Sequence, residues 1–260
     1  MILQYLKTDT KTIRACSQAA REFRPVAMSF IFHRLKVNRV GRLKECARLI
    51  TGGAFQHVRS LDLGIDDKNV ILEDYWMDYL TILGQFGRYR SLNRLWLSEV
   101  PLNFTQHGQK KGLGETIAAL GSTVTELGLY ECHFSSYEEM ISLICSFPFC
   151  NILFIRDCVT GDQATGDNAL AGLPKHKLKV EDLQLSSSSP NDSLIDVSNL
   201  VEDAALDVGL LTSLACDVGS YEGTRRVAAA VSGSPVEQFQ VACAEPEGFQ
   251  GRRILLNSKR

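Results

Sequence analysis

The sequence predicts an α/β protein in which short parallel strands alternate with helices along an array. The first observation is an apolar frame that recurs along the chain and is clearest over residues 124–134. There, Leu127 and Leu129 form an L-x-L pair, which puts both side chains on one face of a strand. The second observation is helical spacing of apolar residues between these frames. The third is a purely helical pattern over the first 34 residues.

The frame matches the leucine-rich-repeat template L-x-x-L-x-L-x-x-N/C-x-L, with Cys132 at the N/C position. Eight copies are present, and the later ones are weaker. Their fourth positions are Leu35, Leu61, Leu95, Leu127, Leu153, Leu183, Leu214 and Phe239, so neighbouring copies lie 25 to 34 residues apart. Residues 35–260 are therefore predicted to form an irregular leucine-rich-repeat array, a solenoid of parallel strands and helices.

Strict alternation within the copies indicates a sheet that is covered on one face only. Leu61-Asp-Leu63 and Leu183-Gln-Leu185 alternate, whereas the central strands of a doubly wound enzyme read as continuous apolar runs. An α/β hydrolase or transferase is the rival interpretation of the same order of strands and helices. The alternation favours the one-sided sheet, whose other face is available for binding.

Residues 1–34 form a separate helical segment in this interpretation. Asp9 or Thr10 caps a predicted helix over 12–22, and Pro25 opens a second one over 26–33.

The same segment resembles an F-box, in particular that of mushroom-type fungal proteins that continue into irregular leucine-rich repeats. The resemblance rests on the run 2–17, with its Asp9-x-x-Thr12-Ile13 spacing and Cys16-Ser17 pair, and on 21–27 and 30–35. Ala20 and Phe23 depart from the family, and its Leu-Pro-x-Glu start is absent, so the segment is described as N-terminally truncated. The resemblance implies docking on the Skp adaptor of cullin-RING ubiquitin ligases. The residues that would make this contact are Ile2, Leu3, Leu6, Ile13 and Cys16.

The sequence between the repeat frames predicts the following helices, in chain order. The first is a helix over 43–50 with a stripe of Leu43, Cys46, Ala47 and Ile50, and the next is a helix near 74–86 that Gly87 stops. A mobile polar loop over 103–114 then precedes a short helix over 116–120. The helix over 136–147 has Ser135 or Ser136 as N-cap. Helices over 194–206 and 221–231 follow, and residues 252–256 begin a further element.

The outward positions of three adjacent strands predict a binding patch. Strand parity places aromatic and arginine side chains together there: Arg94, Trp96, Tyr130, Phe154 and Arg156. Trp, Tyr and Arg are enriched in binding hot spots. The alternative is that a loop, for instance 103–114, folds over Trp96 and Phe154 as ordinary packing.

Composition and motifs disfavour several other functions. The net charge is −2 with 22% charged residues, so no overall field recruits nucleic acid. Neither a signal peptide nor a membrane span is recognisable, which predicts a cytoplasmic or nuclear protein. The eight cysteines lack C-x-x-C spacing and are expected as free thiols, with Cys132 and Cys158 turned inward. The five histidines are scattered, so neither metal nor cofactor is expected.

The sequence therefore predicts a non-enzymatic substrate-recognition adaptor of an SCF-type ubiquitin ligase, holding a protein target on its repeat array. The repeat part follows from spacing, and the ligase part is implied by the resemblance. The alternative is a stand-alone leucine-rich-repeat interaction module whose F-box remnant serves as a cap.

Overall fold

A computed structural model describes residues 9–19, 22, 24–50, 55–64, 75–100, 110–161, 177–186, 200, 206–218, 221–243 and 254–257. Its helices are α1 (Thr10–Ala19), α2 (Arg24–Ile31), α3 (Val40–Ile50), α4 (Trp76–Tyr89), α5 (Lys110–Gly121), α6 (Tyr137–Ile144) and α7 (Tyr221–Ala230). Its longer strands are β1 (Arg34–Val37), β2 (Ser60–Gly64), β3 (Arg94–Ser98), β4 (Glu126–Tyr130), β6 (Ile152–Arg156), β9 (Asp182–Ser186), β11 (Ser213–Val218), β12 (Gln238–Cys243) and β13 (Ile254–Asn257). The two-residue strands are β5 (His133–Phe134), β7 (Val159–Thr160), β8 (Leu178–Lys179) and β10 (Leu206–Asp207).

The longer strands form one sheet whose spatial order follows the chain: β1-β2-β3-β4-β6-β9-β11-β12-β13. The first eight are parallel, and β13 pairs antiparallel with β12. Separately, β5 pairs with β7, and β8 with β10. The predicted α/β class with parallel strands is confirmed.

One row of the sheet runs through all eight copies of the sequence frame. Neighbouring strands pair Leu35, Leu61, Leu95, Leu127, Leu153, Leu183, Leu214 and Phe239 in turn. From Leu61 to Leu214 these side chains are at most 1% exposed. Burying one leucine contributes roughly 1.5–3 kcal/mol. Because the register is unbroken although the sequence intervals vary, the connections outside the strands absorb the difference in length.

The backbone repeats the same hydrogen bonds where each strand begins. Asn93 N and Arg94 N both donate to Arg59 O, at 2.8 and 3.0 Å, and the next strand repeats the pattern on Asn93 O. Each of the seven steps from β1 to β12 has this arrangement. The pairing register is therefore set by the main chain as well as by the leucines.

Three strands, β3, β4 and β6, are each followed by a residue with a left-handed backbone conformation. Glu99, Glu131 and Asp157 have φ of 55°, 49° and 51°. Each donates its N–H to the last residue of the next strand, for instance Glu99 to Tyr130 O at 2.8 Å. These bonds keep the chain exits aligned.

The helices pack on the leucine face and complete the core. In α3 the buried residues are the predicted stripe of Leu43, Cys46, Ala47 and Ile50. The prediction that Gly87 stops α4 is wrong, since the helix continues to Tyr89 and ends at Arg90, which has φ 49°. A Cβ on Gly87 would lie 2.9 Å from Ala119 Cβ, so this glycine lets α4 approach α5.

Two further helix predictions are corrected at their ends. Residues 110–114, predicted as loop, form the first turn of α5, while 101–109 lie outside the described residues. The predicted helix over 194–206 does not reach its end, because Leu206 begins β10. Of the remainder of that range, only Leu200 is described as helical.

The predicted start of α6 is confirmed. Ser136 accepts a hydrogen bond from Glu139 N at 3.3 Å, and Glu139 Oε2 accepts one from Ser135 N at 3.0 Å. This reciprocal arrangement satisfies backbone donors that the first helical turn leaves unpaired.

At the N-terminal end, α1 and α2 pack against each other. Asp9 caps α1, since its carboxylate accepts from Thr12 N at 3.0 Å and from Thr12 Oγ1 at 2.6 Å. These hydrogen bonds lower the pKa of Asp9. Ile13 in α1 and Ala27 in α2 are fully buried.

Replacing Gly121 by alanine tests the packing of α5. A Cβ at this position would lie 2.0 Å from Ser146 O, a backbone atom. We expect Gly121→Ala to lower the free energy of unfolding by about 1–3 kcal/mol, measured by urea denaturation.

Gly41 in α3 is the matched control, because a Cβ there meets nothing within 4 Å. Gly41→Ala should leave stability unchanged or raise it by up to about 1 kcal/mol through helix propensity. Equal stability of the two variants would contradict the close approach of Gly121 to Ser146.

Candidate functional site

The sheet face opposite the leucine row, called here the open face, carries aligned rows of polar and aromatic side chains. Its middle row runs through Lys36, Asp62, Trp96, Gly128, Phe154 and Gln184 and continues to Ala215 and Gln240. The neighbouring row toward the strand ends contains Ser98, Tyr130, Arg156 and Ser186. These rows contain four of the five side chains that strand parity predicted for the binding patch, and the fifth, Arg94, lies in the adjacent row toward the strand starts.

Gly128 makes the centre of the open face possible. A Cβ there would lie 2.7–2.9 Å from three atoms of the Trp96 ring. Trp96 instead lies over the bare backbone of β4 and meets Phe154 of β6, with ring centroids 5.2 Å apart and planes at 42°. The two rings form an aromatic shelf across three strands.

Glu126 holds the shelf in place. Its Oε1 accepts a hydrogen bond from Trp96 Nε1 at 3.1 Å and lies 2.9 Å from Arg94 Nε. The Arg94 guanidinium lies 4.5 Å from the centroid of the Trp96 ring, within cation-π range. Because the indole N–H is already paired, Trp96 presents only ring surface to a ligand.

A second arginine and aromatic pair lies beside the shelf. The Arg156 guanidinium is 5.2 Å from the centroid of the Tyr130 ring, and Arg156 Nε donates to Asp157 Oδ2 at 3.3 Å. The Arg156 side chain remains 57% exposed. A hydrogen bond with Glu131 raises the pKa of Tyr130.

These groups surround an open cleft of about 480 Å³. Of the five predicted patch residues, Trp96, Tyr130, Phe154 and Arg156 line it, while Arg94 supports the Trp96 ring beside it. The cleft also includes Arg34, Lys36 and Asp62, and Arg34 Nε donates to Asp62 at 3.0 Å. These three residues were not predicted as part of the patch, although the parity of the first two copies places them on this face.

The residues named for adaptor docking are only partly described. Ile2, Leu3 and Leu6 lie outside the described residues. Ile13 is fully buried between the helices, and Cys16 is half-buried on α1. Ile13 therefore contributes to the packing of the helical pair.

Six of the cysteines that the structure describes are buried, and none of the described ones lines the cleft. Cys132 and Cys158 are buried, as predicted, and Cys132 Sγ lies 3.4 Å from Leu97 O. Burial raises the pKa of Cys132 well above its usual range and that of Cys150 to about 12. Raised values disfavour the reactive thiolate. Within the described residues no three His, Cys, Asp or Glu side chains are grouped closely enough to hold a metal ion.

Comparisons with known proteins give no family. Neither the protein-family models nor the curated proteins include a match to this sequence. In the described part of the chain, no helix has the length and apolar character to span a bilayer.

Gly128→Ala tests the construction of the shelf. The new methyl group must displace the Trp96 ring and separate Trp96 Nε1 from Glu126. We expect one of the two Trp indole resonances in an ¹⁵N–¹H spectrum to move, with a loss of about 1–2 kcal/mol in unfolding free energy. Assignment with Trp96→Phe should identify the moving resonance as that of Trp96.

Gln184→Ala is the control for this experiment, since Gln184 lies in the same row but on β9, three strands away from Trp96. It should leave both indole resonances in place. An unchanged Trp96 resonance in Gly128→Ala would contradict the position of the ring over Gly128.

Proposed function

We propose that this chain is a leucine-rich-repeat protein-interaction module that binds a protein partner on its open face. The observation that carries the proposal is the aromatic shelf of Trp96 and Phe154 flanked by Arg156. Aromatic rings and arginine provide large contact areas and dominate binding energy in protein interfaces.

The geometry of the shelf supports binding because it is already formed. Trp96 is held by Glu126, by Arg94 and by contact with Phe154. When a partner covers the shelf, Trp96 loses little side-chain freedom and its indole N–H is not left unpaired. Loss of side-chain freedom and unpaired buried donors normally reduce affinity.

The F-box resemblance of the N-terminal segment supports a more specific role. Two helices precede β1, as the sequence predicted, and Ile13 and Ala27 are buried in them. We propose that this pair belongs to a Skp-docking element and that the chain is the substrate-recognition adaptor of an SCF-type ubiquitin ligase in the cytoplasm or nucleus. Such an adaptor performs no chemistry; it raises the concentration of a target lysine near the ligase-bound ubiquitin carrier. A stand-alone interaction module is the alternative.

Trp96→Ala separates binding from packing. If the shelf is a binding surface, partners retained from a fungal extract should be lost while the free energy of unfolding falls by about 1 kcal/mol or less. Quantitative proteomics and urea denaturation measure the two effects.

Met77→Ala is the control, because Met77 is 67% exposed on α4, on the other side of the sheet. It should retain the same partners. A destabilisation of several kcal/mol in Trp96→Ala would show instead that the shelf is ordinary packing.

Titration calorimetry against a fungal Skp adaptor tests the ligase role. We expect micromolar or tighter binding, and its loss in Ile13→Asp, which places a charge in the α1 and α2 packing. Circular dichroism shows whether the array of that variant stays folded. Absence of binding by the folded wild-type chain would favour the stand-alone module.

A further inference from the structure

We propose that the open-face cleft takes an extended segment of the partner in which a bulky apolar side chain and a carboxylate lie two residues apart. The apolar side chain packs on the shelf of Trp96 and Phe154, and the carboxylate binds Arg156. This inference rests on the proposed binding function and specifies its ligand.

Arg156 is oriented before any ligand arrives. Its guanidinium lies over Tyr130, and its Nε donates to Asp157 Oδ2. A planar guanidinium fixed on an aromatic ring is suited to a carboxylate, which accepts two parallel N–H bonds. The side chain is 57% exposed, so these donors are reachable.

Spacing along β6 defines the pattern of the segment. Phe154 and Arg156 are two residues apart on one strand, so both side chains project from the open face about 7 Å apart. An extended peptide places its own residues i and i+2 at nearly the same separation. A segment lying along β6 therefore meets the shelf with residue i and the guanidinium with a residue two positions away.

The ligand residue that contacts the shelf must be apolar, because the shelf offers it no free hydrogen-bonding group of the Trp96 ring. Trp96 Nε1 is occupied by Glu126, and Gly128 contributes only backbone below the ring. The shelf therefore binds by contact area rather than by hydrogen bonding.

The positive charge around the cleft favours an acidic residue in the ligand, beside the apolar one. The lining contains Arg34, Lys36 and Arg156 against Asp62, a net charge of +2. Counting the adjoining Arg94, Glu126 and Asp157 as well leaves a net charge of +1, whereas the whole chain carries −2. Lys36 has no ion-pair partner among the described residues. An acidic segment is attracted to this cleft, and a basic one is repelled.

Nucleic acid fits the same surface less well. Carboxylates of Asp62, Glu126 and Asp157 each accompany an arginine here. Repeated backbone phosphates would approach these carboxylates, whereas a protein segment with one or two acidic groups avoids them.

Selection from a displayed library of random octapeptides on the purified full chain tests the inference. We expect enriched peptides with a Trp, Phe or Leu two positions from an Asp or Glu. Fluorescence anisotropy of one such labelled peptide should show binding that Trp96→Ala abolishes and that Arg156→Glu weakens by at least about tenfold. A peptide in which Lys replaces the acidic residue should bind Arg156→Glu at least about tenfold more tightly than the acidic peptide binds that variant.

Arg88→Glu is the matched control, because it makes the same charge change on α4, which packs on the leucine face. It should leave peptide affinity unchanged. Thermal unfolding of each variant excludes loss of the fold as the cause.

The remaining outcomes overturn the inference in distinguishable ways. Peptides that need Trp96 but show neither acidic enrichment nor sensitivity to Arg156→Glu contradict it while leaving the proposed binding function intact. Failure to select any peptide dependent on Trp96 contradicts the inference, and the proposed function too when the partner capture also fails. Tight binding of a single-stranded dT20 oligonucleotide that competes with the peptide contradicts both.

Discussion

The structure depends on one backbone constraint, the shared register of its eight parallel strands. At each step two successive N–H groups donate to one carbonyl of the preceding strand, as Thr125 and Glu126 do to Asn93. The register places the fourth-position residues of the eight copies, such as Leu127, in one buried row and, by alternation, aligns the outward residues in rows on the opposite face. The cleft therefore follows from the same pairing that builds the core.

Small residues let the layers approach as closely as this register requires. Gly87 lies against Ala119 between two helices, and Gly121 lies against the backbone of Ser146. On the open face Gly128 has the corresponding role, since its missing side chain admits the Trp96 ring. The stabilising contacts of the covered face and the recognition surface of the open face thus both depend on positions where a methyl group does not fit.

Local periodicity explains which features could be predicted from the sequence. The leucine row and the buried stripe of α3 were predicted because both repeat at the period of their own element. The gathering of Trp96, Phe154 and Arg156 followed from strand parity alone. The end of α4 could not be predicted from Gly87, because that glycine serves contact with another helix. The pairing of Trp96 with Glu126 depends on a neighbouring strand, which no spacing within one copy reveals. Strand parity, in contrast, does place Arg34 and Lys36 on the open face.

Thiol reactivity on the two sheet faces tests the central claim, that one face is core and the other is accessible to a partner. Gln184→Cys places a thiol in the middle row of the open face, one strand from native Cys216, which is 4% exposed on the leucine face. We expect the new thiol to react with Ellman's reagent at a rate close to that of a free cysteine, while the native buried thiols react only on unfolding. Protection of the new thiol equal to that of the native cysteines would contradict an open face and leave the shelf as part of the core.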